Sequence, residues 1–524
     1  MERGDGRLSR HIRWGWLAVA ALPALFIGYF FVYPLVRILA VGVSEIGAGG
    51  NGLETRLVRV GWFTLWQAVV STALTFVVAA PLTWAVSTYE FRGRRLATAL
   101  ATVPFVLPTV VVGTAFVALG WRDSVWAIIA AHVFFNVAVV VRTVSTLWSR
   151  IEPRILEAAR VLGATTWQVF LHVTLPLLRP ALAAAASIVF LFTFTSFGVV
   201  LILGGFRYAT LEVEIYRQAV TLFDLPLAAA LAVVQLIGVT GALYAYSRYQ
   251  DRHTATWALR AEADRPAPRG RARILVGASV VGTLLLLAIP ITVLVARSIQ
   301  PGSYSRLVQD DPVVGVPVSS AANSLIYAVV AATIAVLVGV MASAVITAGR
   351  SKLSRWFDLT LMLPLGTSAV TIGFGFIVAL DRPVDLRASF WLVPIAHALV
   401  AVPFVVRATV PTLRSIPAET REAARVLGAS PARVWREIDL PIMSRAALVG
   451  AGFAFVISLG EFGATSFVAR PNTATMPIMI FRLLSRPGAG SFAMAMAMAV
   501  VLAALTAAVV LWIDRAQFAE IGTF

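Results

Sequence analysis

Glu461, in the string SLGEFGAT, is an acid inside an apolar run. A carboxyl group there is costly unless it faces a polar cavity or a partner. Two readings follow: a group that meets a cationic cargo, or a packing acid satisfied by neighbouring backbone or an arginine. Other chemistry is scarce. The five histidines (His11, His132, His172, His253 and His397) show no i, i+3 or i+4 pairing, so no metal site is expected. Cysteine is absent, which excludes disulfides, thiolate metal sites and thiol catalysis. The one lysine, Lys352 in GRSKLSR, lacks the G-x-x-x-x-G-K-[ST] pattern that cradles nucleotide phosphates. No nucleophile, base and ligand set converges, so this chain is expected to hold no catalytic residue and no cofactor.

The elements around these residues are those of a membrane protein. The chain has 524 residues, 59% hydrophobic and 13% charged, with a mean hydropathy of +0.85. That is too apolar for water and points to many spans of roughly 20 residues. Twelve stretches qualify, near 16–40, 60–87, 97–120, 125–147, 179–204, 226–247, 274–297, 321–348, 357–380, 389–412, 443–468 and 492–513. They are not the short alternating segments of a β-barrel, so the expected fold is all-α and polytopic. The first is too long for a signal-peptide core and is expected to be an uncleaved span. Trp14, Trp16 and Trp512 are expected to anchor span ends at the membrane interface.

The formal charge of +17 follows a topological pattern. Arginines gather at the start (Arg3, Arg7, Arg10, Arg13) and in alternate loops, at Arg92, Arg94 and Arg95, from Arg248 to Arg273, and around Arg350, Lys352 and Arg355. The positive-inside rule makes those loops and both termini cytoplasmic. The charge therefore encodes orientation in a lipid bilayer, and no nucleic acid is expected as a partner.

One polar element occurs twice: EAARVLGATTWQVFLHVTLP from Glu157 and EAARVLGASPARVWREIDLP from Glu422. The offset of 265 also relates His132 to His397, Arg142 to Arg407, Phe197-Gly198 to Phe462-Gly463, Thr210 to Thr475 and Arg217 to Arg482. It relates Ser196 to Glu461 as well, so the acid is present in one half only. Upstream the offset becomes 260, matching Pro104 with Pro364 and Gly113 with Gly373. The chain is thus a tandem duplication: 1–247 and 274–524, about six spans each, joined by a cytoplasmic linker at 248–273. Six is even, so the halves form a parallel repeat.

Each polar copy follows the fourth span of its half, on the cytoplasmic side, and reads as helix–turn–helix. Gly163 and Gly428 supply left-handed stops. Thr165 or Thr166, and Ser430 with Pro431, open a second short helix. Pro176 and Pro441 are expected to close it before the fifth span. Trp167, Phe170 and Trp435 are expected to give it an apolar face, and small Ala158, Ala159, Ala423 and Ala424 would let another surface approach closely.

E-A-A, then Gly, then an apolar helix ending in L-P resembles the signature loop of the membrane permeases of ATP-binding-cassette importers. Span number, loop position and duplication extend the resemblance over essentially the whole chain. It implies a type I importer permease fold in a bacterial inner membrane. It also implies two cytoplasmic ATPase copies, one coupled through Glu157, Ala158, Ala159 and Gly163, the other through Glu422, Ala423, Ala424 and Gly428. An external substrate-binding protein would dock on 205–224 and 470–489. The strings FTSFGVVLILGG with TLEVEIYRQ, and SLGEFGATSFVARP with MPIMIFRLL, most resemble fused permeases of the ferric-iron and thiamine type. LILGG followed by TLEVEIYRQ leans toward thiamine. GEFGAT also resembles sulfate and molybdate permeases, which favours the packing reading of Glu461 over a place with Ser196 in the substrate pathway. A secondary transporter with two six-span halves is the rival, but it has no use for two ATPase-docking loops.

Overall fold

The computed structural model describes residues 19–49, 53–253, 265–348, 352–382, 385–387 and 389–521. His11, Trp14, Trp16, the amino-terminal arginines, Arg260 and Arg350 lie outside them. In chain order the first half contains α1 (Val19–Ala48), α2 (Leu53–Thr88), α3 (Arg94–Val106), α4 (Thr109–Ala118) and α5 (Val125–Trp148). It continues with α6 (Pro153–Val161), α7 (Thr166–Phe194), α8 (Gly198–Gly204), α9 (Leu211–Tyr216) and α10 (Leu225–His253). The second half repeats the order: α11 (Arg271–Ser298), α12 (Ser319–Ala348), α13 (Lys352–Gly366), α14 (Ala369–Ala379) and α15 (Leu392–Ser415). Then come α16 (Ala418–Val426), α17 (Pro431–Gly460), α18 (Thr465–Val468), α19 (Met476–Leu484) and α20 (Ala489–Ile521).

Ten of these helices are long and apolar enough to cross a membrane, and two bent pairs bring the number to 12 if each pair is one span. The pairs are α3–α4, bent by 96°, and α13–α14, bent by 102°. They occupy the third span of each half, which the sequence presents as continuous apolar stretches. The two breaks have different chemistry at matched positions. In the first, Pro108 forces Leu107 into extended backbone (ψ 138°) and cannot donate a helical bond. In the second, Ser368 takes the place of Pro108, and its Oγ caps α14 by accepting from the Val370 amide at 3.0 Å.

The first helix of each half packs across the molecule. α1 lies against α10 of its own half and α14 of the other, and α11 lies against α20 and, across, against α2 and α4. Small residues make the approach possible. A Cβ on Gly375 would sit 2.9 Å from Pro34, and one on Gly42 would sit 2.5 Å from the Ala229 carbonyl oxygen. The repeats are therefore units of sequence whose first helices interlock. α4 and α14, with α5 and α15, are among the most buried elements.

The segment between α11 and α12 is held by one acid. Asp311 Oδ1 accepts from the Val313 and Val314 amides (2.9 and 3.1 Å) and from the Arg486 guanidinium at 2.8 Å. The Val313 amide first, then the other two donors, hold this carboxyl below the usual aspartate range. A depressed carboxyl contributes stability above its unfolded value, and that contribution is lost as pH falls through the folded value. Amide exchange over 303–318, measured relative to the intrinsic rate of an unfolded chain at each pH, is therefore expected to stay slow at neutral pH and to rise only below the ordinary aspartate pKa of about 3.9. Asp311→Asn should raise it wherever the wild-type carboxyl is ionised. Exchange that rises already near pH 6 in the wild type would rule out Asp311 as the clasp.

Candidate functional site

The duplicated polar segments turn through matching hydrogen bonds whose lengths differ by no more than 0.1 Å. Helix α6 ends with the Leu162, Gly163 and Ala164 amides donating to the Ala158, Arg160 and Ala159 carbonyls at 3.1, 2.9 and 3.1 Å. In α16 the matching bonds, from Leu427, Gly428 and Ala429 to Ala423, Arg425 and Ala424, measure 3.0, 2.9 and 3.0 Å. Gly163 (φ +86°) and Gly428 (φ +85°) take the left-handed conformation that this stop requires. The next helix opens with Thr165, whose Oγ1 accepts from the Gln168 amide while Gln168 Oε1 accepts from the Thr165 amide. Ser430 does half of this, accepting from the Arg433 amide at 3.3 Å, with Pro431 in the first turn.

The prolines do not end these helices. Both α7 and α17 pass through a π turn, Phe170–Thr174 and Trp435–Asp439, and continue into the fifth span. The wider turn precedes Pro176 and Pro441, where an ordinary helix would want the bond that proline cannot donate. The expected apolar face also divides. Phe170 contacts Trp148, and Trp435 packs on a small cluster of Leu413, Ile416 and Met443, so both turn inward. Trp167 stays exposed, stacked on Phe170 at 5.6 Å.

What the two turns offer to a partner is aliphatic. Val161 and Leu162 are 87% and 88% exposed, and Val426 and Leu427 are 86% and 87% exposed. Glu157, Ala158, Glu422 and Ala423 are exposed beside them, while Ala159 and Ala424 are half-buried. These four aliphatics lie in the repeated RVLG string, beside the acids, alanines and glycines that the sequence marks, and carry no polar or turn signal of their own. The second copy is tied down more firmly. Arg421 donates to Asp439 Oδ1 at 2.7 Å and to the Leu413 carbonyl at 3.1 Å, linking α16 to α17 and α15. The matching residues in the first half are Leu156 and Thr174.

A second constellation lies where the halves meet. Glu461 is 7% exposed. Its carboxyl accepts from the Ala464 amide at 2.8 Å, the Thr465 amide at 2.9 Å and Thr465 Oγ1 at 2.5 Å. His397 Nε2 lies 3.3 Å from the same group. His397 also meets Ser458 Oγ and Thr465 Oγ1, each at 2.7 Å. In the first half His132 bridges Ser71 and Ser196 at 3.2 and 2.8 Å. Paired histidines thus fasten three segments in each half, with Ser196 standing where the other half has Glu461.

Next to each sits the repeated Phe-Gly. Phe197 and Phe462 stack on one another at 5.4 Å across the two halves. Tyr216 meets Phe197 edge-on at 5.4 Å, and its repeat mate Phe481 meets Phe462 at 5.6 Å. Gly198 permits this stack, since a Cβ there would lie 2.8 Å from Thr109 and 3.2 Å from Phe462. Two more acids, missed at the sequence level, lie buried on α9. Glu212 accepts from Ser368 at 2.7 Å across the halves and from Gln235. Glu214 accepts from Gln218 at 2.5 Å and stands 3.7 and 3.6 Å from Arg56 and Arg217. Their repeat mates are Pro477 and Met479, so only the TLEVEIY alternation marked them. Among the described residues no group of three or more His, Asp or Glu could hold a metal.

A pseudo-symmetric bundle of membrane-length helices with a matched glycine-stopped turn in each half is the architecture of a membrane transport subunit. Residues 78–253 and 335–518, more than half of the chain, match the family described as binding-protein-dependent transport system inner membrane component. The chain belongs to that family: it is the permease of an ATP-binding-cassette importer, a multi-pass inner-membrane transport subunit and not an enzyme. Its partners are, in general terms, an ATP-binding-cassette ATPase and a substrate-binding protein. It is similar to the thiamine transport system permease protein ThiP of Brucella abortus (strain 2308), 28% identical over 96% of this chain and 94% of that one. The protein of the same name from Escherichia coli (strain K12) is 24% identical over 80% of this chain and 82% of its own. A putative 2-aminoethylphosphonate transport system permease protein, PhnV, of Salmonella typhimurium is 27% identical over 48% of this chain and 96% of its own.

Proposed function

We propose that this chain carries thiamine across the membrane, with residues 1–247 and 274–524 as its two repeats and both termini in the cytoplasm. One ATPase copy docks on Glu157, Ala158, Ala159, Gly163 and the exposed Val161–Leu162 pair. The other docks on Glu422, Ala423, Ala424, Gly428 and Val426–Leu427. The observation that carries the coupling role is the pair of matched turns, each holding two aliphatic side chains almost wholly in solvent. Covering each of them is worth roughly 1.5–3 kcal/mol, so a hydrophobic groove on a partner would be held strongly at both turns. The external binding protein delivers the cargo to the side of 205–224 and 470–489. The stacked Phe197 and Phe462 lie where the halves meet and close the route between them. The thiamine assignment is supported by relatives bearing that name that align along nearly the whole chain. Glu461 and Ser196 act as supports of this closure through the two histidines, a role supported by the saturation of the Glu461 carboxyl with protein donors.

The test is uptake of labelled thiamine in cells lacking their own importer, supplied with this chain, its ATPase and its binding protein. Accumulation that depends on all three is expected. Uptake of ferric iron, sulfate, molybdate or 2-aminoethylphosphonate in its place would overturn the cargo and leave the permease assignment intact. Ion-driven uptake without the ATPase would indicate a secondary transporter. The purified chain alone is expected to release no phosphate from ATP above a mock preparation, and to show turnover once the ATPase is added.

A further inference from the structure

We propose that the groove between α3 and α11 is a binding site for one anionic glycerophospholipid, taken from the leaflet on the side of the arginine-rich loops. The groove has a volume of about 480 Å³ and is roofed by Arg92 and Arg273, with Leu96, Leu100, Gly277 and Leu284 along its length. Its chemistry changes in one direction. Both guanidiniums lie at the loop end, where the two helices begin, and the lining from there inward is apolar. From Arg273 to Leu284 is about 16 Å of helix, close to half of the roughly 30 Å hydrocarbon core. A phosphate head with an acyl chain has that shape and that polarity.

The charges at the mouth are available. Glu90 is the acid closest in sequence to Arg92, and it is already engaged by Arg94 at 3.3 Å and by Arg265 at 3.5 Å. The Arg265 guanidinium also donates to the Ser87 carbonyl, and the Glu90 amide donates to the Pro266 carbonyl at 3.1 Å. These bonds pin the segment that leads into α11 against the end of α2. They leave Arg92 and Arg273, both exposed, with no carboxyl partner among the described residues. Among the described residues no acid lines the groove. Two unneutralised guanidiniums at a membrane surface attract the phosphate of an anionic lipid, each contributing to retention. Leu96 is 62% exposed to the surrounding lipid, so the trough is open sideways to an entering chain. Because α3 belongs to one repeat and α11 to the other, a lipid seated here bridges the halves where the first helix crosses.

The experiment uses the full chain in nanodiscs of phosphatidylethanolamine with a minor share of phosphatidylglycerol. Bound lipid is counted by native mass spectrometry. Wild type is expected to retain one phosphatidylglycerol that Arg92→Gln/Arg273→Gln loses, with affinity for added phosphatidylglycerol falling at least about tenfold. Gly277→Phe keeps both arginines and plugs the trough. Nothing lies within 4 Å of a Cβ there, so the variant should fold normally, and it too should lose the lipid. Arg355→Gln, an exposed arginine of the same face of the protein, should retain it. Equal retention by the double variant would overturn the site. Retention by Gly277→Phe alone would reduce it to surface adsorption of a headgroup, and equal retention of phosphatidylethanolamine would remove the role of charge. Displacement by inorganic phosphate alone would make it a simple anion site. Each of these results overturns the proposal.

Discussion

Transport by a Gly163→Val/Gly428→Val double variant is expected to fall at least tenfold, together with substrate-stimulated ATP hydrolysis, while the protein still inserts at normal levels. Both glycines sit at a φ near +85°, where an L-residue with a branched Cβ pays about 1–2 kcal/mol. Neither Cβ would collide with anything within 4 Å, so the cost falls on the turn and the packed spans are spared. Relief of the strain unwinds the stop that places Val161 and Leu162, or Val426 and Leu427, at the tip of the loop. The aliphatic contacts to the ATPase are then mispositioned, and loss of even half of their burial removes several kcal/mol of docking energy. The single variants should differ. The second turn is braced by the Arg421–Asp439 pair, which the matching Leu156 and Thr174 of the first cannot form, so Gly163→Val should be the more damaging. The measurement is thiamine uptake alongside ATPase assays of the assembled complex, with membrane levels quantified. Normal uptake by the double variant at normal levels would remove the coupling role from both turns.

Glu461→Gln is expected to lower the thermal midpoint and the yield of the protein, while uptake per inserted molecule stays near that of wild type. The carboxyl accepts from two amides and a hydroxyl, and both oxygens are used. An amide can keep one of those acceptors, but its NH2 then faces an N–H or O–H donor. Each buried donor left without a partner costs about 1–3 kcal/mol. Glu461→Ala takes the side-chain acceptor from both amides, while the Thr465 hydroxyl keeps His397 and the Glu461 carbonyl, and should be far worse, with His397 losing a neighbour as well. Glu461→Ser, which copies the Ser196 arrangement of the other half, should recover part of the loss. The opposite outcome, normal stability with uptake abolished, would return Glu461 to the substrate pathway and give the cation-attracting reading its support.

The all-helical membrane class, the twelve apolar stretches and the duplication are legible in the residues alone. Each follows from one-dimensional information: apolar length against bilayer thickness, arginine-rich loops, and a constant offset between repeats. The position of both capped turns is legible there too, because a glycine stop followed by a capping residue is a local device whose geometry depends on few neighbours. What those turns present depends on packing. Val161, Leu162, Val426 and Leu427 read as ordinary helix-forming aliphatics, and nothing local says that they face solvent while Phe170 and Trp435 turn inward. The sharp bends in the third spans were hidden for a similar reason, since hydropathy averages over a break that Pro108 or Ser368 makes at a single residue. Continuation of α7 and α17 past their prolines depended on a π turn that no residue pattern announces. The role of Glu461 was open in the sequence because burial of an acid has one cost and many remedies. Two of its partners, Ala464 and Thr465, lie three and four residues further along the same turn, and only folding brings the third, His397, to it. The crossing of α1 and α11 between the halves is likewise a matter of packing: an offset records which residues are equivalent, not which half each one touches.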